Sequence, residues 1–186
     1  MDVRKAIDTR RAVRSLVPVK IDRKTIDDLA ECASLAPSCN NFQPWRFVFV
    51  TDPAQLEKVF GSLNKGNEWV RKASMVIGVF SKEEFDCNIK ERHYFLFDTG
   101  MAAGFILLRA TELGLIAHPI AGFDEDKAKE AMGIPPEFRL ITLINVGVHT
   151  PVIDPILSDN QKLAETQRPP RKDLSEMVFY DRFDSE

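Results

Sequence analysis

The chain has 186 residues and a net charge of −3, and 44% of it is hydrophobic and 28% charged. This length fits one domain with its own core. The acidic balance argues against a nucleic-acid partner, which would need a broad basic surface. Met1 leads straight into charged residues, and the most apolar run, residues 95–108, is too short to cross a bilayer. These features predict a soluble, cytoplasmic protein with no membrane partner.

The spacing of apolar residues and of capping residues predicts the elements in chain order. Helices are expected at Val3–Thr9, from the capping residue Asp22 to a stop at Pro37, and at Asp52–Phe60, Glu91–Leu113 and Asp124–Met132. Strands are expected at Arg46–Thr51, Ser74–Phe80, Leu115–Ala121 and Leu140–Val148. This mixed order favours one sheet with helices on its faces.

Two further segments bear on assembly. Residues 1–150 are expected to form the domain and residues 151–186 an extended arm, because residues 151–172 are polar and contain four prolines. The arm ends in the aromatic residues Phe179, Tyr180 and Phe183, which must be buried on the domain itself or on a partner subunit. In the long helix, Gly100 and Gly104 allow close approach of another helix, either within the core or across a subunit interface.

The first functional signal is a cluster of arginines. Arg10, Arg11 and Arg14 fall within a stretch of five residues, although the chain as a whole is acidic. On a helix, Arg10 and Arg14 would repel each other. Such crowding becomes favourable when a phosphate lies between the guanidiniums. A solvated basic face is the alternative explanation for this cluster alone.

The second signal is the polar loop Pro37–Trp45. Its prolines fix the backbone, Asn40 and Asn41 tolerate left-handed conformations, and its Ser, Asn and Gln side chains offer paired donors and acceptors. Such a loop suits a planar heterocycle with alternating N–H and C=O edges. A purely structural helix-to-strand connection is the alternative.

Cysteine and histidine give weaker signals. The three cysteines, Cys32, Cys39 and Cys87, are odd in number and have no metal-type spacing, so neither a disulfide framework nor a metal site is expected. Cys39 could be a reactive thiol, but no acid or histidine is near it in sequence. His118 could contact a ligand, although a histidine at a strand end usually has a structural role.

Together, several segments resemble the nitroreductase superfamily of FMN-dependent oxidoreductases. The resemblance covers nearly the whole chain in order, and each segment alone would be weak. The matching segments are Thr9–Arg14, Ala36–Phe47, Asp98–Gly104, Gly114–Phe123, Gly133–Pro136, Asn145–Gly147 and Arg168–Glu176.

The resemblance implies an α+β layered fold with a central, mostly antiparallel sheet flanked by helices, in an interlocked homodimer. It also implies the following FMN contacts. The phosphate would be held by Arg10, Arg11, Ala12 (backbone), Arg14 and Arg171. The flavin and ribityl chain would be bound by Pro37, Ser38, Cys39, Asn41 (of the same or the neighbouring subunit), Asn67, Pro119, Ile120, Ala121 and Gly122.

The implied chemistry takes place at FMN N5, assisted by a backbone N–H of Ala121 or Gly122, with no catalytic side chain. NADH or NADPH would be the transient donor, and a small nitroaromatic, quinone or enone the acceptor, in ping-pong fashion. Two alternatives remain: other flavin chemistry on the same scaffold (dehalogenation, flavin fragmentation or dehydrogenation), or a non-enzymatic flavin-binding protein.

Three departures from the family pattern bear on this expectation. Ala12 replaces a frequent serine, and Ala121 replaces a frequent acidic residue, which removes a charge near N5. The segment between Phe80 and Glu91 is short, so the substrate site is expected to be open or differently covered.

Overall fold

The computed structural model describes residues 1–183. Its α-helices are α1 (Val3–Thr9), α2 (Arg23–Ser34), α3 (Pro53–Phe60), α4 (Tyr94–Glu112), α5 (Glu125–Met132) and α6 (Asp159–Thr166). Its strands are β1 (Leu16–Val17), β2 (Arg46–Val50), β3 (Met75–Ser81), β4 (Asn88–Ile89), β5 (Arg92–His93), β6 (Ile116–Ile120) and β7 (Arg139–His149). Short 3₁₀ turns occupy Cys39–Asn41, Glu68–Lys72, Glu83–Phe85 and Leu174–Glu176.

Aspartates begin four of these helices. Asp2, Asp22, Asp52 and Asp124 each accept a hydrogen bond from the backbone N–H three residues later. This bond satisfies an amide that has no partner within the helix, and the carboxylate also favours the positive end of the helix dipole. The predicted capping residue Asp22 is therefore confirmed, Asp124 caps the helix that was predicted to begin there, and α5 ends at the left-handed Gly133.

The central sheet is antiparallel at every pairing. The long strand β7 pairs with β3, β6 and β1, and β2 pairs with the other edge of β3. This arrangement confirms the expected antiparallel α+β architecture, and it brings β6 and the residues before β1 to the same central strand.

The core lies on both faces of the sheet. On one face, Leu143 packs in a cluster with α3 and α5; on the other, Ile144 packs in a cluster with α2 and α4. Neighbouring residues of β7 therefore face opposite layers, as the two-residue period of a strand requires. The result is a sheet between two helical layers.

The long helix begins later than its apolar pattern predicts. Residues 88–93 form the β4–β5 hairpin, and α4 starts at Tyr94 rather than Glu91. Lys90 and Glu91 adopt positive φ angles of 52° and 63° at the turn, a conformation that favours glycine or asparagine. Without such a residue, the sequence gives no turn signal here.

Among the described residues, the region after residue 150 contains one α-helix. Ser158 and Gln161 form a reciprocal capping box that begins α6. Beyond α6 the chain carries exposed aromatic residues, with Tyr180 85% and Phe183 72% exposed. Tyr180 and Phe183 are therefore not buried on their own domain, which was the first of the two possibilities given for the tail aromatics. No helix in the described residues has the length and apolarity needed to cross a membrane.

Candidate functional site

Five arginines meet beside the start of β1. Arg10 caps the end of α1, and the extended residues that follow it run past the C-terminal end of α6. Together the two segments line a cavity of about 200 Å³, here called the arginine cavity. Its lining residues are Arg10, Arg11, Ala12, Arg14, Ala164, Arg168, Pro169 and Arg171.

Hydrogen bonds hold the first wall of this cavity, residues 10–14, against α6. The carboxylate of Glu165 accepts bonds from the backbone N–H groups of Arg14 (2.7 Å) and Ser15 (3.0 Å). The guanidinium of Arg11 donates to the Ala164 carbonyl at 2.7 Å. Because Glu165 is only 7% exposed, these bonds are shielded from water and fix the backbone that presents the arginines.

Arg168 joins the second wall of the cavity, residues 164–171, to the first. Its Nη2 donates to the carbonyls of Asp8 (2.5 Å) and Arg10 (2.9 Å). These acceptors are neutral, so its positive charge is not cancelled. Arg168 lies in the segment Arg168–Glu176 that resembles the family, but its place at this site was not predicted from the sequence.

The electrostatics of the arginine cavity are unfavourable without an anion. The pKa of Arg10 is lowered, first by burial and then by the nearby charges of Arg168, Arg171 and Arg11. The pKa of Arg14 is lowered by burial, against an opposing effect of Glu165. None of the five arginines that line this cavity forms a salt bridge within residues 1–183, whereas Arg4, Arg23, Arg71, Arg109 and Arg139 do so elsewhere.

An aromatic pair connects the arginine cavity to β6. The guanidinium of Arg14 lies 5.8 Å from the centre of the Trp69 ring, which lies 4.7 Å from the His118 ring. His118 Nδ1 is 3.1 Å from the Val13 carbonyl, so this nitrogen carries the proton. Burial lowers the pKa of His118 to about 4, and the charges of Arg14 and Arg10 add to this effect, so the ring is neutral near pH 7.

The loop after β6 brings together three residues that the sequence singled out. The amide of Asn67 donates to the Gly122 carbonyl at 2.9 Å, and Asn64 N–H donates to the same oxygen at 3.0 Å. A Cβ at position 122 would overlap the Asn67 amide nitrogen, so glycine is needed for this approach. The described bonds of the loop use the carbonyls of Ala121 and Gly122 rather than their N–H groups.

Before this loop, Pro119 and Ile120 belong to strand β6 itself. Ile120 is buried, whereas Pro119 is exposed. The two residues alternate across the strand, so the loop that follows starts from a fixed position on β7. Asn67, Ala121 and Gly122 thereby form one backbone-lined site beside Trp69.

The loop Pro37–Trp45 has the unusual backbone that its composition predicts. Asn40 and Asn41 have φ angles of 48° and 59°, and Gln43 has 51°. The Ser38 hydroxyl accepts a bond from the Gln43 N–H at 2.9 Å, which closes the loop. The backbone N–H of Cys39 donates to Asp98 Oδ2 at 2.6 Å, and this bond anchors the loop to α4.

Cys39 and Cys87 are joined in a disulfide across 48 residues of sequence. The expectation that none of the cysteines pairs was therefore wrong for these two, while Cys32 is free. Sequence spacing could not show the pairing because the hairpin that carries Cys87 to the loop was not foreseen. The bond also rules out Cys39 as a free nucleophile in this state.

A groove links the arginine cavity to the polar loop. Arg10 and Pro37 line it together, along one side of α4. Its volume is about 430 Å³, and its other lining residues are Met101, Gly104, Phe105, Leu107 and Leu108. Ser38, Cys39 and Asn41 lie farther along the same loop, at its anchor on α4.

Comparison with known proteins places this architecture in a family. The model of the Nitroreductase family matches residues 7–68 and 53–148. These ranges cover most of the chain and include the first arginine segment, the polar loop and the loop after β6. The chain belongs to the Nitroreductase family.

Individual relatives agree with this assignment. "Putative NAD(P)H nitroreductase YdgI" of Bacillus subtilis is 26% identical, over 74% of this chain and 84% of the relative. The 5,6-dimethylbenzimidazole synthase of Rhodospirillum rubrum is 28% identical, over 74% of this chain and 77% of the relative. A crystal structure described as an oxidoreductase containing FMN superposes with a TM-score of 0.83 and 26% identity, over 100% of this chain and 94% of that one.

Proposed function

We propose that this protein is an FMN-dependent NAD(P)H oxidoreductase that acts on a small electron-poor acceptor. The observation that carries the proposal is the arginine cavity, where five guanidiniums meet, three of them partly buried, and form no salt bridge among residues 1–183. Its volume of about 200 Å³ is on the scale of one phosphate group with its ester linkage. Family membership and the FMN-containing relative support the choice of flavin.

The residues of the cavity fit the phosphate of FMN. Arg10, Arg11, Arg14 and Arg171 would supply charge-assisted hydrogen bonds, and Arg168 would hold the two cavity walls together. Ala12 has no side-chain donor and would contribute its backbone. A dianionic phosphate would offset the burial and the repulsion that together lower the pKa of Arg10.

The remaining contacts follow from the two loops. Pro37, Ser38, Cys39 and Asn41 would lie along the flavin and its ribityl chain, starting from the groove that Pro37 shares with Arg10. Asn67, Pro119, Ile120, Ala121 and Gly122 would meet the ring system. Asn67 is held in place by its bond to the Gly122 carbonyl, so it would not need to be ordered when the cofactor binds.

The chemistry that bound FMN would supply is hydride transfer through N5, from NADH or NADPH to a nitroaromatic, quinone or enone. The protein would bind, orient and shield the reactants. A backbone N–H of Ala121 or Gly122 would donate a hydrogen bond near N5. No charged side chain occupies position 121, and neutral His118 lies behind the site rather than in it.

We propose a homodimer as the functional unit. Along α4, a Cβ on Gly100 or Gly104 would meet nothing within 4 Å, and Phe97 and Phe105 on the same helix are 63% and 38% exposed. A second copy would cover this face and the tail aromatics, and it would bring Asn41 toward the neighbouring cofactor. Replacing Gly104 with leucine should shift the protein toward monomers in sedimentation equilibrium, whereas replacing exposed Gly66 with asparagine, which tolerates its positive φ of 92°, should not.

We place the protein in the cytoplasm, where NADH and NADPH are available as donors.

The test begins with an absorbance spectrum of the purified protein and continues with anaerobic addition of NADH or NADPH. The proposal predicts about one FMN per chain and loss of its visible absorbance with one of the two donors. Yellow protein that neither donor bleaches would contradict the donor assignment and favour another flavin chemistry. Colourless protein that takes up no added FMN would overturn the proposal as a whole.

A further inference from the structure

A covalent bond joins the polar loop to the β4–β5 hairpin. The sulfurs of Cys39 and Cys87 are bonded, and Asn40 Nδ2 lies 3.5 Å from the Cys87 sulfur. Cys39 belongs to the loop proposed above to lie along the flavin, and Cys87 comes directly before β4. The disulfide therefore connects the proposed cofactor site to the short segment between Phe80 and Glu91.

The hairpin is otherwise held mainly by local contacts. Asn88 pairs with His93 and Ile89 with Arg92, and His93 Nδ1 is 3.1 Å from the Glu83 carboxylate. Arg92 Nε donates to the carbonyl of Ile89 at 3.1 Å. Residues 88–93 are all exposed. A short exposed hairpin with few buried apolar contacts belongs to the least stable part of a fold.

The backbone on both sides of the disulfide is in a conformation that depends on its anchors. On one side, Asn40 and Asn41 have positive φ angles; on the other, so do Lys90 and Glu91. For residues other than glycine such angles cost free energy, and the surrounding contacts must hold them. The disulfide is one of those contacts, together with the bond from Cys39 N–H to Asp98.

Two carboxyl groups lie beside the sulfurs. Asp86 accepts a bond from the Cys87 N–H at 2.8 Å, and Asp98 accepts one from the Cys39 N–H at 2.6 Å. Burial and a hydrogen bond with Asp98 raise the pKa of Asp86, against the effect of the Cys87 N–H. Each cysteine is therefore anchored through its backbone by a carboxyl group, and these anchors remain when the sulfurs separate.

We propose that Cys39–Cys87 is a reversible redox site that controls how firmly the hairpin closes on the polar loop. Both cysteines are partly exposed, so an external thiol can reach the bond. In a cytoplasmic protein such an accessible disulfide is exchanged rather than permanent. This inference rests on the proposed function for its consequence at the cofactor site, but the redox chemistry itself does not require FMN.

The exchange reaction is balanced by a low-molecular-weight thiol such as glutathione. Its thiolate attacks one protein sulfur, breaks the S–S bond and forms a mixed disulfide, which releases the other cysteine. A second glutathione thiolate then attacks the glutathione sulfur of the mixed disulfide, forms glutathione disulfide and releases the first cysteine as a thiolate, which takes up a proton. Two electrons and two protons are thereby transferred to Cys39 and Cys87. The reduced site should leave residues 39–43 and 86–93 less restrained.

The first test counts thiols in the native full-length protein equilibrated with glutathione buffers from fully oxidised to fully reduced. We expect one reactive thiol per chain, Cys32, at the oxidised end and three at the reduced end, with circular dichroism unchanged. The variant Cys32→Ser is the matched control and should change from none to two. A pair that stays oxidised across the whole series while the protein is folded would overturn the proposal.

The second test follows amide hydrogen exchange of the oxidised and reduced wild-type protein without added FMN. Reduction should speed exchange in residues 39–43 and 86–93 about tenfold or more and leave β7 unchanged. FMN affinity, measured by fluorescence, should fall about tenfold on reduction, since the loop would then have to be ordered on binding. The variant Cys87→Ser should behave like the reduced protein and should not respond to reductant.

Unchanged exchange in both segments after complete reduction would contradict the inference even if thiol counting showed a reversible bond. Because thiol counting and exchange use protein without cofactor, they remain decisive if FMN does not bind. In that case the proposed function fails while the redox site stands. If instead FMN binds as proposed and reduction of the disulfide changes neither hydrogen exchange nor FMN affinity, the proposed function stands and the redox site fails.

Discussion

Arg109 and Arg10 show two ways in which this chain uses arginine. Arg109 donates to both oxygens of Asp28, at 2.6 to 3.1 Å, and to Glu112 at 2.6 Å. These hydrogen bonds raise the pKa of Arg109. Glu112 also accepts a hydrogen bond from the N-terminal amino group of Met1 at 3.0 Å. Here the charges balance within the chain, and the cluster ties α4 to α2 and to the N-terminus.

Arg10 has the opposite surroundings. Burial and the neighbouring cations Arg168, Arg171 and Arg11 lower its pKa. Selection for stability alone would not place these like charges together, because repulsion and desolvation both disfavour the cluster. The contrast teaches that an arginine with its carboxylate nearby has a structural role, whereas an arginine surrounded by cations indicates a bound anion.

The largest effect is expected from supplying the missing carboxylate. Ala12 lines the arginine cavity, and Ala12→Asp would give the cavity a counterion of its own. FMN affinity should fall by about 100-fold or more, while thermal stability should be kept or rise, because the new charge relieves repulsion and excludes phosphate. Calorimetric titration and thermal unfolding measure both quantities.

The matched control is Ala12→Asn, which has nearly the same shape and no charge. It should lower FMN affinity by only a few fold. If the asparagine and aspartate variants bound FMN equally well, the charge balance of the cavity would not determine binding, and the contrast with Arg109 would lose its meaning.

The next effect comes from removing one cation. Arg10→Gln should weaken FMN binding about 100-fold, since it removes charge-assisted bonds to the phosphate worth roughly 2–3 kcal/mol. Arg23→Gln is the control, because Arg23 is exposed and pairs with Asp27 away from the cavity. Equal affinities of the two variants would remove Arg10 from the site.

The pH dependence of stability reports on the same cavity through His118. Its folded pKa of about 4 lies below the ordinary value of 6.5, so this group favours folding fully above pH 6.5. That contribution is lost as pH falls toward 4, because the unfolded chain binds the proton first. The loss amounts to up to about 3 kcal/mol in urea unfolding.

Phosphate in the arginine cavity should raise the pKa of His118, because Arg14 and Arg10 both lower it. FMN should therefore move the His118 titration, followed by proton NMR, to higher pH. The variant His118→Phe keeps a ring against Trp69 and should lose the dependence assigned to this residue. A His118 titration that FMN leaves unchanged would mean that the phosphate does not bind near these arginines.

The smallest effect on the ligand is expected at Arg109. Arg109→Gln should lower the free energy of unfolding by about 1 kcal/mol, because it breaks a partly exposed ion-pair network. FMN affinity should stay within about twofold of wild type. Chemical unfolding and titration on the same samples check the pair of values, and a large loss of FMN affinity with unchanged stability would reverse the two roles.

The sequence predicted those parts of the fold that depend on local signals. Asp22 and Asp124 stand where helices begin, and the strands of the sheet carry apolar runs between turn residues. The cluster of Arg10, Arg11 and Arg14 was visible because like charges close in sequence are unusual in an acidic chain. In each case neighbouring residues held the signal.

The missed features depend on residues far apart in sequence. Cys39 and Cys87 could not be paired without the hairpin, whose turn at Lys90 and Glu91 uses left-handed residues that are not glycine. Glu165 lies on a short polar helix, and its buried role appears only once α6 packs against residues 14 and 15. Both features require knowledge of the tertiary arrangement.

The most direct measurement of the central claim compares FMN with riboflavin, which lacks the phosphate. Calorimetric titration of cofactor-free wild-type protein should give an affinity for FMN about 100-fold higher than for riboflavin. In Arg10→Gln, which should bind FMN about 100-fold more weakly, this difference should nearly disappear, with riboflavin affinity little changed. Equal affinities of the wild-type protein for FMN and riboflavin would show that the arginine cavity does not hold the phosphate.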